Sequence, residues 1–433
     1  MNKKQLFVLS CYMIGYSVLL AQDSASTYKI NYYERKVSTY LDKQNALASF
    51  YTIDKSGIKI FASAHDKAVG KAEFRVSWDN LEFFKRYLKT CSYQEGINVY
   101  KNGNFENIVN CTIQERDTLS KNKSGIFYGY RIAIDAGHTA GNIESGIIEK
   151  KYLKFKSSPE NGLKDSVAIA EGMLTYATAG LLKDKLEEEG AEVFLTRTFN
   201  GATAFGITFD EWLIRNYKKT IESWRASGRI SEERKRWYLT KASKSEKFWL
   251  VFKDLELQKR AEIINDYKPD FTVIIHYNVD ETNTGWTKPG TKNFCMAFIG
   301  GAFFKSDLSS TEKRFEFLRM LITNDIEASL HLSGAVVKNL QSNLLVKAAE
   351  TKDATYLHNG CLYAGKAGVY CRNLQLTRNI HGPVIYGETL YQDNIGECIL
   401  LGQESDKLKN ARVKQAAEAY YKGIKEYVEN WKE

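Results

Sequence analysis

Two histidines and two glutamates stand where the sequence predicts that a buried strand ends or a helix begins. Each histidine follows a strand-like run (RIAID or DFTVII), one glutamate follows the run PVIY, and the other opens a long helical pattern. In chain order these residues are His138, Glu171, His276 and Glu388. In open α/β sheets, sites form where strands end, so we expect these side chains to converge. Two histidines and one carboxylate suit a catalytic zinc ion with an open position for water, and the remaining carboxylate could serve as general base.

The elements that must position these residues alternate between strand and helix. Strands are predicted at 131–135, 191–196, 270–275, 294–299 and 383–386, and helices at 165–189, 255–265, 311–345 and 407–431. Such alternation indicates a largely parallel sheet covered by helices. We assign this α/β domain to residues 126–433.

A stretch at about 200–253 interrupts the alternation and is rich in Trp, Lys and Glu. Within it, Thr208 to Glu211 has the spacing of a helix capping box. We predict a helical insertion here. Because the insertion follows a strand of the sheet, we expect it to lie near the cleft and to shape or gate access.

The N-terminal part carries export signals and then a small domain. Residues 1–21 combine a basic start, an apolar run and a small residue, Ala21, as in a secretory signal peptide. Lipid attachment at Cys11 is an alternative, but the apolar run continues past it, which favours cleavage near Ala21. We expect an exported protein, periplasmic or extracellular, without a transmembrane segment after signal removal. The pattern of residues 22–125 predicts a small strand-rich domain, and no catalytic or metal-binding motif is recognisable in it.

Composition and charge fit a globular enzyme. Hydrophobic residues make up 43% of the chain, and prolines number only 4. The formal charge of +9 becomes +7 if Lys3 and Lys4 leave with the signal, since 9 − 2 = 7. This charge fits either a solvated lysine-rich surface or approach to a polyanionic envelope. No basic-aromatic module indicates a nucleic-acid partner. Six cysteines remain after removal of the signal peptide. Their even number is compatible with disulfide bonds and equally with buried free thiols.

The chain also resembles the bacterial zinc-dependent N-acetylmuramoyl-L-alanine amidases over residues 131 to about 427. Four ordered blocks carry the resemblance: IAIDAGH ending at His138, the span from Glu171 to the VFLTR that ends at Arg197, RAEIIN with DFTVIIHYN around His276, and PVIYGETLYQDN around Glu388. The resemblance implies a three-layer α/β/α fold around a mixed sheet. It also implies that zinc is bound by His138, Glu171 and His276, and that Glu388 is the catalytic acid/base. The implied reaction is hydrolysis of the amide between N-acetylmuramic acid and L-alanine in peptidoglycan.

Glu149 is a rival for the zinc glutamate, since it lies in an IEKK run that looks like a family motif. Spacing favours Glu171, which lies 26 positions before Arg197 (197 − 171 = 26), as one helix and one turn require. Asp135 and Asn278 are candidates to support the ligands or, equally, ordinary loop caps.

The chain departs from the family pattern at several points. These are Thr139, Ile274, Gly387 and the long region 139–165. They concern the rim of the site, so they put the substrate range in doubt more than zinc binding.

Two other functions remain open at this point. A zinc peptidase acting on stem peptides would use the same metal chemistry. A wall-binding protein with a degenerate site would need no chemistry, although all four candidate residues are present.

Overall fold

The structure, a computed structural model, describes residues 27–90, 124–159, 163–283 and 288–431. The predicted signal segment with Cys11, and also Cys91 and Cys111, lie outside these residues. The described chain forms two compact units.

The first unit contains residues 27–88 and, from much later in the chain, 302–323. Its sheet is antiparallel in the order β1 (Tyr51–Asp54), β2 (Gly57–Ile60) and β3 (Phe74–Ser77). Its helices are α1 (27–36, continued by a π-helical turn at Val37–Leu41), α2 (Ala64–Ala68), α3 (Leu81–Thr90) and, from the later segment, the helix Thr311–Ile322. The rings of Phe315 and Phe317 pack on Phe74 and Tyr51. The domain division predicted from the sequence, with its boundary at residue 125, did not include the segment 302–323 in the first unit.

The second unit is built on an eight-stranded mixed sheet. Its strands are β4 (Arg131–Ala136), β7 (Glu192–Leu195), β8 (Phe271–Asn278), β9 (Phe294–Ile299), β10 (Lys347–Ala348), β11 (Leu362–Tyr363), β12 (Val369–Cys371) and β13 (Val384–Tyr391), while β5 (Tyr152–Phe155) and β6 (Val167–Ala170) form a separate antiparallel pair. The order is β11-β12-β9-β13-β8-β4-β7, with β10 also on β9. The four strands β7, β4, β8 and β13 run parallel, and β9 is antiparallel to β13.

Helices cover both faces of this sheet. The helices of the whole unit are α4 (Ile143–Glu149), α5 (Glu171–Glu188), α6 (Phe209–Trp212), α7 (Lys218–Ala226), α8 (Glu232–Thr240), α9 (Lys244–Lys247), α10 (Lys253–Tyr267), α11 (Asp325–Leu344), α12 (Thr355–Gly360), α13 (Gln375–Asn379), α14 (Ile395–Gly402) and α15 (Ala411–Asn430). Helices α5, α11 and α15 pack together on one face, and α10 and α13 cover the other. This is the expected three-layer α/β/α arrangement around a mixed sheet.

Three local predictions need correction. The helix predicted from residue 165 begins at Glu171, because Val167–Ala170 alternates its burial and pairs with Tyr152–Phe155 instead. His276 and Glu388 do not follow their strands but lie inside them, since the two strands extend to Asn278 and Tyr391. The longer strands place both residues on neighbouring positions of the sheet.

The predicted insertion is helical and has a hydrophobic core of its own. Helices α6 to α9, with π-helical turns at Leu213–Tyr217 and Phe248–Phe252, run directly into α10. Buried side chains including Trp212, Ile221 and Phe252 form this core, and Ile148 of α4 packs against it. The predicted capping box is present: Thr208 accepts from the amide of Glu211, whose carboxylate accepts from the amide of Thr208.

The four cysteines in the described part of the chain, Cys295, Cys361, Cys371 and Cys398, are buried free thiols. Among the described helices, none combines the length and apolar character that a membrane crossing requires.

Candidate metal centre

His138 is held in an unusual backbone conformation directly after β4. Its φ is +62°, in the left-handed region that costs a non-glycine residue free energy. The preceding Gly137 lies against the ring of His276, so that a Cβ on residue 137 would come within 2.3 Å of Cε1 and 2.4 Å of Nε2. The small residue and the strained turn together bring the two imidazoles side by side, with ring centroids 4.8 Å apart.

Glu171 lies between the two histidines. It is the first residue of α5, and its Oε1 lies 3.2 Å from Nε2 of His138 and 3.1 Å from Nδ1 of His276. The same oxygen accepts a hydrogen bond from the backbone amide of Tyr277 at 3.1 Å. One ligand atom from each of the three side chains lies within 4.8 Å of the others. The structure therefore brings together the three residues that the sequence predicted as a metal site.

The donor set fits a zinc ion. The second carboxylate oxygen of Glu171, Oε2, is buried and has no hydrogen-bond partner among the described residues. The ammonium of Lys151 lies 4.0 Å from it. An unsatisfied buried carboxylate oxygen is costly unless a cation or a donor binds it. Two imidazole nitrogens and a carboxylate are also the ligands of many catalytic zinc sites.

The two histidines of the cluster differ in the direction of their pKa shifts. Burial opposes protonation of His138, but the Glu171 and Glu149 carboxylates outweigh it and raise the pKa of His138 to about 9. Burial lowers the pKa of His276 to about 4, against the weaker effect of its hydrogen bond to Glu171. Burial alone would raise the pKa of Glu171, but His138 and Lys151 hold it well below its usual range. An anionic centre between two imidazoles attracts a cation.

Glu388 lies next to this cluster on the neighbouring strand. It pairs in register with His276 across the parallel ladder of β13 and β8, so both side chains project from the same face of the sheet. Two residues before it, Tyr386 stacks on the His276 ring with centroids 4.4 Å apart. Burial and the nearby Glu171 carboxylate raise the pKa of Glu388 to about 8. A carboxyl group with a pKa near neutrality is suited to take up and release a proton.

Glu149 has a role that the sequence did not predict. It is not part of the three-residue cluster, but its Oε1 lies 2.9 Å from Nδ1 of His138, on the other side of that ring from Glu171. It also accepts the backbone amides of Thr139 and Ala140, at 3.1 Å and 3.0 Å. A carboxylate bound to the far nitrogen of a histidine fixes its ring for metal binding. Only the run of acidic and basic residues in the sequence pointed to this position.

The two other supporting candidates act differently. Asp135 is fully buried and accepts a hydrogen bond from Arg260 Nη1 at 3.0 Å. Arg260 also donates hydrogen bonds to the carbonyls of Ala136 and His138, at 2.8 Å and 2.7 Å. Asp135 therefore supports the turn that bears His138 through an arginine. The Asn278 side chain donates to the hydroxyl of Tyr356 at 2.8 Å.

The departure at Gly387 has a packing reason. A Cβ at this position would lie 2.2 Å from the hydroxyl oxygen of Tyr420, which belongs to α15 on the opposite face of the sheet from Glu388. The tyrosine fills the space that an apolar side chain would take.

Comparisons with known proteins identify the family of this chain. One solved structure similar to this chain is the CwlD amidase of Clostridioides difficile, determined in complex with the GerS lipoprotein, with 15% identity over 69% of this chain and 98% of that chain and a TM-score of 0.36. Another is the catalytic domain of CwlV, an N-acetylmuramoyl-L-alanine amidase of Bacillus (Paenibacillus) polymyxa var. colistinus, with 15% identity over 69% of this chain and 98% of that chain and a TM-score of 0.35. A third is the N-acetylmuramyl-L-alanine amidase Ami1 of Mycobacterium smegmatis, with 14% identity over 71% of this chain and 100% of that chain and a TM-score of 0.38. A sequence comparison with curated proteins gave no match. The family model for N-acetylmuramoyl-L-alanine amidases matches residues 132–426, more than half of the chain, and the chain therefore belongs to this family.

Proposed function

We propose that this protein is a zinc-dependent N-acetylmuramoyl-L-alanine amidase that releases stem peptides from peptidoglycan. The observation that carries the proposal is the convergence of His138, Glu171 and His276 in a chain of this family, with Glu388 beside His276 in register. The substrate lies outside the cytoplasmic membrane, which agrees with the export signal predicted from the sequence.

Nε2 of His138, Nδ1 of His276 and the Glu171 carboxylate would hold the metal, because these atoms face one another. A zinc ion there would supply a Lewis acid for the amide carbonyl and lower the pKa of water at the site. Glu149 keeps the His138 ring in place by binding its other nitrogen.

Glu388 performs the proton transfers in this mechanism. Its carboxylate takes a proton from the attacking water and then returns one to the nitrogen of the leaving amine. The amide bond breaks, leaving a carboxylic acid on the sugar side and a free amine on L-alanine. Because Glu388 sits inside a strand rather than on a loop, its carboxylate has a rigid base for these transfers.

Mass spectrometry of purified peptidoglycan after digestion tests the proposal. Free stem peptides that begin with L-alanine, formed with zinc and not with a chelator, are the expected products. Shortened or uncrosslinked peptides still attached to sugar would instead identify a peptidase. Unchanged peptidoglycan that nevertheless binds the protein would identify a wall-binding role.

A further inference from the structure

A cavity of about 170 Å³ opens beside the two histidines, and the helical insertion forms one of its walls. His138 and His276 line one side of it. The apolar lining consists of Phe248, Trp249, Leu257, Leu374, Leu376 and Tyr386. Phe248 and Trp249 belong to the last π-helical turn of the insertion, so the part of the chain that interrupts the family pattern reaches the metal cluster.

The charged groups around this cavity already have partners. Glu149 binds His138, and Glu256 pairs with Arg260 at 3.1 Å. Lys253 pairs with Asp254 at 3.3 Å and lies over the Trp249 ring, 5.5 Å from its centroid. The cavity therefore offers an aromatic wall, and the cations that line it, Lys253 and Arg260, are already paired with carboxylates.

The volume of the cavity limits what it can hold. Pockets that enclose a drug-sized ligand measure roughly 300–1,000 Å³, so this one accommodates a single residue-sized group of a larger substrate. Since the two histidines line it, that group must be adjacent to the bond that is cut.

We propose that this cavity is the subsite for the sugar residue of the substrate, with Trp249 as its principal contact; the inference rests on the amidase function proposed above. An amide-linked muramoyl residue is uncharged and has apolar C–H faces that can pack on an indole ring. The residue on the peptide side of the amide is L-alanine, whose single methyl group is too small to cover an indole ring. The aromatic wall thus favours the sugar side of the amide.

Steady-state kinetics on two matched substrates test this subsite. The first is an N-acetylmuramoyl-L-alanyl peptide, and the second is the same peptide with a lactoyl group in place of the whole sugar, which keeps the scissile amide. We expect Trp249→Ala to raise KM for the first about tenfold and to leave the second unchanged. Trp249→Phe keeps an aromatic ring and should give a smaller increase. Trp237→Ala is the matched control, because Trp237 also packs on the insertion core but does not line the cavity.

The outcomes separate the subsite from the proposed function. An equal loss on both substrates, or no change on either, in a folded, zinc-loaded Trp249→Ala protein would overturn the subsite while leaving the amidase in place. If the wild-type protein cleaves neither substrate nor intact peptidoglycan, the amidase proposal fails, and the subsite with it. Saturable binding of the uncharged primary amide of N-acetylmuramic acid to the wild type, lost in Trp249→Ala and retained in Trp237→Ala, would support the subsite independently of turnover.

Discussion

Glu149 and His138 are only eleven positions apart in the chain, and their side chains meet with Oε1 2.9 Å from Nδ1. Helix α4 ends at Glu149 and turns the chain back, so that the carboxylate also receives the amides of Thr139 and Ala140. This leaves Nε2 of His138 facing Glu171. The strained turn at His138 is thus stabilised by a carboxylate that does not itself join the metal cluster.

Replacing Glu149 by Gln should weaken zinc binding without abolishing it. The amide keeps the size of the side chain but accepts less strongly from the imidazole, and loss of such a partner typically costs about 10–100-fold in metal affinity. His138→Ala removes a ligand and should abolish stoichiometric binding. Chelator competition measures both affinities.

Glu144→Gln is the control for this test, because Glu144 lies exposed on the same helix. Wild-type affinity in Glu149→Gln would show that the contact with His138 is incidental. Full zinc occupancy in purified His138→Ala would contradict the assignment of His138 as a ligand.

Gly137→Ala should disturb the metal site by steric overlap. The added methyl group would lie 2.3 Å from the His276 ring, far inside van der Waals contact, so the ring or the strand must move. We expect reduced zinc occupancy and activity, measured by metal analysis and amide hydrolysis. Gly360→Ala is the control, since a Cβ there would meet no atom of the described residues within 4 Å. Normal occupancy in Gly137→Ala would show that His276 does not need its present position.

The sequence predicted the positions that carry local motifs and missed those that depend on the folded chain. His138, Glu171, His276 and Glu388 each belong to an ordered block with its own spacing, and the structure brings the first three together. The contact of Glu149 arises only when the region after His138 folds back, which no local pattern encodes.

Two features of the fold were not predicted from the sequence, for the same reason. Val167–Ala170 merges with the helical pattern that follows, and only its pairing with Tyr152–Phe155 identifies it as a strand. The segment 302–323 groups with the first unit through aromatic contacts with residues more than 230 positions earlier, such as that of Phe315 with Phe74 (315 − 74 = 241). Hydrophobic periodicity predicts an element, but not which distant surface it packs against.

Lys151→Gln should shift the acidic limb of the pH–rate profile to higher pH. The Lys151 ammonium lies 4.0 Å from Glu171 Oε2, and its positive charge lowers the pKa of Glu388. Removing the charge therefore raises that pKa, so a base at this position is protonated over a wider acidic range. The pH dependence of kcat/KM measures the shift, with the exposed Lys154→Gln as control. An unchanged profile would contradict electrostatic control of Glu388 by Lys151.

Replacing Glu388 by Gln separates a catalytic from a structural role. Gln retains the size of the side chain and cannot accept the proton of the attacking water. We expect turnover to fall by about 10²–10⁴-fold, as is usual when general acid–base catalysis is lost. The zinc content of the variant should be unchanged. Near-normal hydrolysis by the folded, zinc-loaded variant would refute the mechanism.

The same variant has a distinct pH signature in the metal-free state. The pKa of Glu388 is raised from 4.5 to about 8 in the folded protein, so the folded state keeps a proton that the unfolded chain releases. Stability from this group is therefore fully present below pH 4.5 and is lost as the pH rises toward 8. Gln does not ionise, so chelator-treated wild type should lose melting temperature relative to Glu388→Gln between pH 5 and pH 8.5. A difference between the two proteins that stays constant over this range would mean that Glu388 ionises in the folded state as easily as in water.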